Sequence, residues 1–386
     1  MGSITSQDLR RASEIFAKKP IVVMSRRGTK LLKAALSVMH YTGADGLAAP
    51  FTRGNGVIFM LHRVTDESVR PFEPNRILKV TPDFLEKVIT QVIESGFEII
   101  SIDELPSRIG TSTPERPFAC FTLDDGYRDN LEYAYPVFKR YGVPFTIYVP
   151  TDYADGHGDL WWLTLEKVIE SADTISTEID GAIRRFDLAS VEAKERAYEE
   201  IYWWLRRIPE DQARAAVAKL AEQQGFDRDA LCQQLMMNWD ELREMAADPL
   251  VTIGAHTCSH MALSKLDAEM VRQEIRDSIL RIEQELGAPC RHFSYPYGCE
   301  LSAGDREFAI ANELGVATAV TTRKGLIDAA HVDQLAALPR FSLNGDYQDC
   351  RYIKVMLSGV PFRLWNAIGR VANQGPLAAR SSTAMS

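Results

Sequence analysis

No two of the six cysteines form a CxxC pair, and no apolar run approaches the roughly 18 residues of a membrane-spanning helix. An even cysteine count invites a disulfide reading, but a chain of 386 residues with 46% hydrophobic content needs no bridges to hold its core. Cys120 and Cys258 sit in apolar or motif-like stretches and read as small buried thiols. The opening MGSITSQDLRRASEIFAKKPIVVMSRRG lacks an uninterrupted apolar core of signal-peptide length, so a soluble cytoplasmic protein without a membrane span is expected. Gly2 with Ser6 fits a myristoylation pattern formally, at two fixed positions only. No Lys/Arg-dense stripe dominates either. With 53 acidic against 44 basic residues the net charge is −9, which argues against a nucleic-acid partner. Disorder, collagen and disulfide-scaffold classes are excluded by the same composition.

What the chain does have is a repeating rhythm of short apolar runs and helical stretches from residue 56 onward. The runs are Val57–Leu61, Phe97–Ile102, Phe118–Leu123, Pro144–Val149, Leu250–Ala255, His292–Tyr295, Val316–Thr321 and Ala337–Leu343. Continuous apolar runs suit strands buried on both faces of a parallel sheet. Thr81-Pro82 opens a helix that Gly96 closes, and Asp129–Tyr141, Asp267–Leu286 and Asp305–Leu314 carry the same periodicity. Eight strand candidates with intervening helices predict a distorted (β/α) barrel of seven or eight parallel strands. An open doubly wound sheet is the competitor.

One stretch breaks the rhythm. About a hundred residues separate the fourth and fifth runs, too many for one crossover helix. Their pattern is helical over Leu163–Ser171, Val191–Ile208, Asp211–Gln224 and Asp240–Ala247, and they hold five of the six tryptophans. The expected layout is an N-terminal arm over 1–50, a barrel over 51–345 with a helical insertion at about 155–245, and an extension over 346–386. Lys30–Met39 reads as an amphipathic helix packed on the body, and the tail RVANQGPLAARSSTAMS as disordered. The tryptophans fit core packing of the insertion, or a platform for sugar rings.

Four groups could carry chemistry. Asp124 and Asp125 follow an apolar strand directly, a costly placement unless something compensates them; one could bind a metal while the other faces a reacting water. Asp-Asp-Gly is also ordinary turn chemistry. His256 and His260, again just past a strand, are four residues apart and could converge on one ion if the segment turns helically. Pro296 and Gly298 frame a turn around Tyr297 that could aim a backbone N–H. His62 closes the first strand. In a (β/α) barrel the carboxyl ends of the strands meet at one mouth, and all four groups would lie there.

These residues resemble the polysaccharide deacetylase family, carbohydrate esterases sharing the chitooligosaccharide deacetylase homology domain. Its first motif is matched by Thr122-Leu-Asp124-Asp125-Gly126 and its second by His256-Thr257-Cys-Ser-His260. Its third keeps Pro296 and Gly298, but Ser294 stands where an Arg is usual. The Tyr-Pro-Tyr-Gly form, with a histidine after the first strand, is nearest the branch that includes poly-β-1,6-N-acetylglucosamine deacetylases. The resemblance implies that Asp125, His256 and His260 bind a divalent metal, usually Zn2+, and that Asp124 is the general base. It also implies that the backbone N–H of Tyr297 helps hold the oxyanion. His62 is nominated for the mouth; the leaving amine would be protonated by His62 or by a metal-bound or solvent water. Two departures stand out: no Arg orients the base from the third motif, and Leu338-Pro339-Arg340-Phe341 replaces the family's usual Leu-His acid.

The expected reaction is hydrolysis of N-acetyl groups on an oligo- or polysaccharide containing N-acetylglucosamine, releasing acetate. Hydrolysis of another carbohydrate ester or carbon–nitrogen bond is the alternative, and a non-catalytic carbohydrate-binding descendant is a third.

Overall fold

A computed structural model describes residues 26–110 and 116–365. The expectations for Gly2, Ser6 and the C-terminal tail lie outside the described residues.

All eight apolar runs contain strands: β1 (Gly56–Leu61), β2 (Glu98–Ile99), β3 (Phe118–Asp124), β4 (Phe145–Val149), β5 (Val251–Ala255), β6 (His292–Ser294), β7 (Thr318–Lys324) and β8 (Leu338–Ser342). Seven of them close a parallel barrel in the order β1-β8-β7-β6-β5-β4-β3, with β3 pairing back onto β1. The eighth, β2, meets only the start of β3, Glu98 opposite Phe118 and Ile99 opposite Ala119. Phe121–Asp124 of β3 pair instead with β4. The barrel is closed, and the open-sheet alternative falls.

Because side chains alternate along a strand, each run divides between two cores. Val57, Phe59 and Leu61 of β1 and Ala119, Phe121 and Leu123 of β3 face the surrounding helices. Ile58, Phe118, Cys120, Tyr148, Val320 and Leu338 form the other cluster, which fills the barrel. This alternation continues upward, so Asp124 shares the inward register of Cys120, and Arg340 that of Leu338.

The helices follow their sequence signals. Thr81 caps Pro82–Glu94 by accepting the Phe84 N–H, and Asp267 caps Ala268–Leu286 in the same way through Met270. The 129–141 segment departs from a plain α-helix: Asn130–Ala134 is a wide π turn before the α-helix Tyr135–Tyr141. Pro136 has no N–H to give back to residue 132, which accounts for the irregular turn.

The long interruption contains helices at Trp161–Ser171, Val191–Leu205, Glu210–Gln223, Arg228–Leu235 and Trp239–Ala246. Between the first two of the helical stretches expected from sequence lies a segment that is not helical. Thr174–Ile179 and Ala182–Asp187 form an antiparallel hairpin around Asp180-Gly181, both with positive φ. That Asp-Gly pair is a hairpin signal, which the helical reading passed over. Trp161, Trp162 and Trp204 are buried in the insertion's own core, and Trp239 in the barrel's. Core packing therefore accounts for four of the five tryptophans, with Trp203 half-buried.

Ahead of β1, two helices, Arg26–Thr42 and Ala44–Thr52, lie beside the helix Cys350–Leu357. Leu36 is buried there, and Arg351 donates to the Tyr41 hydroxyl. All six cysteines are free thiols. No described helix is long and apolar enough to cross a membrane.

Candidate active site

The largest fully buried side chain is Arg340, and its position explains the mouth of the barrel. Its Nη atoms donate to Asp124 Oδ1 at 2.8 Å and Oδ2 at 2.6 Å. The remaining donors go to Thr122 Oγ1, Ser294 Oγ and the Thr321 carbonyl, so each of the five N–H groups has a partner. One side chain from β8 thus ties β3, β6 and β7 together. Burial alone would raise the Asp124 carboxyl, but the guanidinium overrides it and holds the group below the usual carboxylate range.

The third motif supplies no Arg, as expected, but the carboxylate is oriented all the same, by Arg340 from another strand. Ser294, standing where the family's Arg is usual, leaves the space that Arg340 enters from another strand. A readable signal existed: an arginine flanked by apolar residues, in a strand buried on both faces, needs a buried anion.

Asp125 turns away from its neighbour because its backbone is left-handed (φ 76°), as is that of Gly126 (φ 72°). Its Oδ1 lies 3.4 Å from His256 Nε2 and 3.3 Å from His260 Nε2. His256 Nδ1 is 2.6 Å from the Ser294 carbonyl and must donate to it, which leaves the Nε2 lone pair facing Asp125. The two imidazoles do not converge through a helical turn, contrary to the sequence expectation. Thr257 (φ 67°) and His260 (φ 58°) are left-handed, and Thr257 Oγ1 accepts the His260 N–H at 2.9 Å. Around this turn, Glu274 accepts the N–H groups of Cys258 and Ser259, and Arg214 donates to the carbonyls of Ser259 and His260.

Candidate ligand atoms of Asp125, His256 and His260 all lie within 4.8 Å of one another, on three buried side chains. Asp125 Oδ1 is buried and makes no hydrogen bond, with the two imidazole nitrogens standing 3.3–3.4 Å away. A buried carboxylate oxygen without a hydrogen bond, beside two imidazole nitrogens, is a donor set that fits a divalent ion. Burial lowers the His260 pKa, partly offset by Asp125, and favours the neutral imidazole that a metal requires.

Tyr297 and Gly298 are also left-handed, at φ 59° and 50°. A Cβ at Gly298 would sit 2.6 Å from the Thr322 nitrogen, so the turn admits only glycine. Thr322 Oγ1 donates to the Tyr297 carbonyl at 2.6 Å, while the Tyr297 N–H makes no hydrogen bond among the described residues. The tyrosine ring is held by the insertion: Trp161 Nε1 donates to its hydroxyl at 2.7 Å, and the Arg206 guanidinium lies 3.6 Å from its centre. Trp162 packs its ring 5.1 Å from that of His260. The insertion is thus the roof of the site.

His62 follows β1 directly, half-buried, its carbonyl accepting from Asn130 Nδ2 at 2.8 Å. Next to it, Arg63 pairs with Asp129 at 2.7 Å and lies over the Tyr127 ring. A cleft of ≈ 450 Å³ opens there between the loop after β1 and the insertion, lined by Arg63, Arg70, Asn75, Leu163 and Glu166 among others.

The family model described as Polysaccharide deacetylase matches residues 111–319, more than half of the chain, and the chain belongs to that family. No curated protein sequence matches it. Among solved structures, the Streptococcus pyogenes deacetylase PplD, in complex with acetate, has 18% identity and a TM-score of 0.50, covering 75% of this chain and 92% of that one. IcaB from Ammonifex degensii has 15% identity and a TM-score of 0.49, covering 79% and 98%. A de-N-acetylase from Aggregatibacter actinomycetemcomitans has 14% identity and a TM-score of 0.49, covering 78% and 98%.

Proposed function

We propose that this protein removes acetyl groups from N-acetylglucosamine units of an oligo- or polysaccharide, with a divalent ion, most readily Zn2+, held by Asp125, His256 and His260. The observation that carries the reading is the pairing of that donor set with Asp124, a buried carboxylate kept ionised beside it. An ion held there would polarise the acetyl carbonyl and lower the pKa of water.

The chain's own groups supply the rest. Asp124, held on both oxygens by Arg340, accepts the proton of the attacking water. The unengaged N–H of Tyr297 takes the negative charge that develops on the acetyl oxygen. His62 is the candidate donor to the leaving amine, and the products are acetate and a free amino sugar. The poly-β-1,6-N-acetylglucosamine branch remains the nearest reading of the third motif, and a cytoplasmic location remains a proposal. A non-catalytic carbohydrate-binding descendant would have no need of a carboxylate held on both oxygens, as Arg340 holds Asp124.

Acetate release from N-acetylglucosamine oligomers, with and without chelator, tests the proposal. Wild type releases acetate, and chelator or Asp124→Asn abolishes it. Equal release by Asp124→Asn removes the assigned base. Release from acetylated xylan oligomers alone moves the substrate to the ester alternative.

A further inference from the structure

We propose that the helix pair ahead of the barrel docks on an anionic phospholipid surface. The inference is independent of the catalytic reading and rests on a second set of residues.

In Arg26–Thr42, Leu31 and Val38 are 72% and 61% exposed, although the helix has a packed side at Leu36. Leu31, Ala34, Ala35 and Val38 recur at helical spacing and form one exposed apolar stripe. The next helix, Ala44–Thr52, adds Leu47 and Phe51, one turn apart and 81% and 86% exposed. So many large apolar groups on consecutive helices exceed the scattered surface leucines of an ordinary soluble domain. The sequence expectation of a helix packed on the body describes only one of its two sides.

Charge selects the occupant. The chain carries a net charge of −9, yet residues 15–44 contain Lys18, Lys19, Arg26, Arg27, Lys30 and Lys33 and no carboxylate. Asp45, the first acid after them, is buried. Lys30 is exposed beside Leu31, and Lys33 lies over the Tyr347 ring. An apolar stripe edged by Lys30, in a segment whose charged residues are all cations, is the pattern of a helix lying in the headgroup region of an anionic leaflet. A second copy on the same face would bring like charges together, which disfavours a symmetric dimer there.

Co-sedimentation of the full chain with vesicles tests this. Vesicles of phosphatidylcholine with phosphatidylglycerol should bind it, and phosphatidylcholine alone should not. Raising salt should weaken binding, Lys30→Gln should lower partitioning about fivefold, and Leu31→Gln/Val38→Gln about tenfold or more. These side chains are exposed, so an unchanged melting temperature shows that the variants fold. Absence of binding to the anionic vesicles overturns the proposal, as does binding that Leu31→Gln/Val38→Gln leaves intact. A concentration-dependent dimer that the same double variant abolishes, without vesicle binding, assigns the face to a second copy and also overturns it.

Discussion

The guanidinium of Arg340 grips both oxygens of Asp124 from the opposite end of the barrel sequence, 216 residues away. Removing it leaves a buried carboxylate without its counter-charge. Arg340→Met should therefore destabilise the fold by about 3–5 kcal/mol and lower kcat/KM about a hundredfold. Arg340→Lys, which cannot fork, should fall between. Adding Asp124→Asn to Arg340→Met should recover stability but no activity, measured by thermal melts and acetate release.

Metal affinity should separate the two carboxylates. Asp124→Asn should retain stoichiometric zinc while losing about a thousandfold in turnover. Asp125→Asn and His260→Ala should lose the metal itself. Arg214→Met, which frees the carbonyls of Ser259 and His260, should weaken zinc binding by about 10–100-fold. Competition with a chromogenic chelator reads each value without reference to activity.

Gly298→Ala should distort the Tyr297 turn, because the added methyl meets the Thr322 nitrogen and the backbone is left-handed. A loss of about 1–3 kcal/mol in stability is expected, with kcat falling more than KM. Equal kinetics to wild type would show that this N–H has no part in the reaction.

A pH effect should come from the foot of the barrel. Burial lowers the His292 pKa, with Asp103 opposing it, and the ring bonds to Thr318 and Asp103. Unfolding frees the ring to take up a proton near its ordinary pKa of about 6.5. The stability present above that value should decline as pH falls below it, toward the depressed native pKa. Melting temperatures between pH 7.5 and 5.5 check this, and His292→Gln should flatten the slope.

Much of the barrel was legible because strands buried on both faces leave continuous apolar runs, as in VIFML of β1. The run at Phe97–Ile102 shrank to Glu98–Ile99 because only the first two residues of β3 remain open to it. Asp124, Asp125, His256 and His260 announced themselves as charged or ligating groups at strand ends. Arg340 was visible as a residue but not as a partner, since nothing local ties it to position 124. The contributions of Trp161, Arg206 and Arg214 were equally hidden, for they act through side-chain and backbone contacts made only after the insertion folds over the mouth.

That roof limits how the molecule can be remodelled. Splicing a short turn between β4 and β5 would spare every stave of the barrel, yet it would strip the donors that brace the His260 loop and the Tyr297 ring. Excision would leave an intact vessel with an unsupported rim. Any graft meant to alter what this deacetylase accepts has to import equivalents of Trp161, Arg206 and Arg214 along with the new surface.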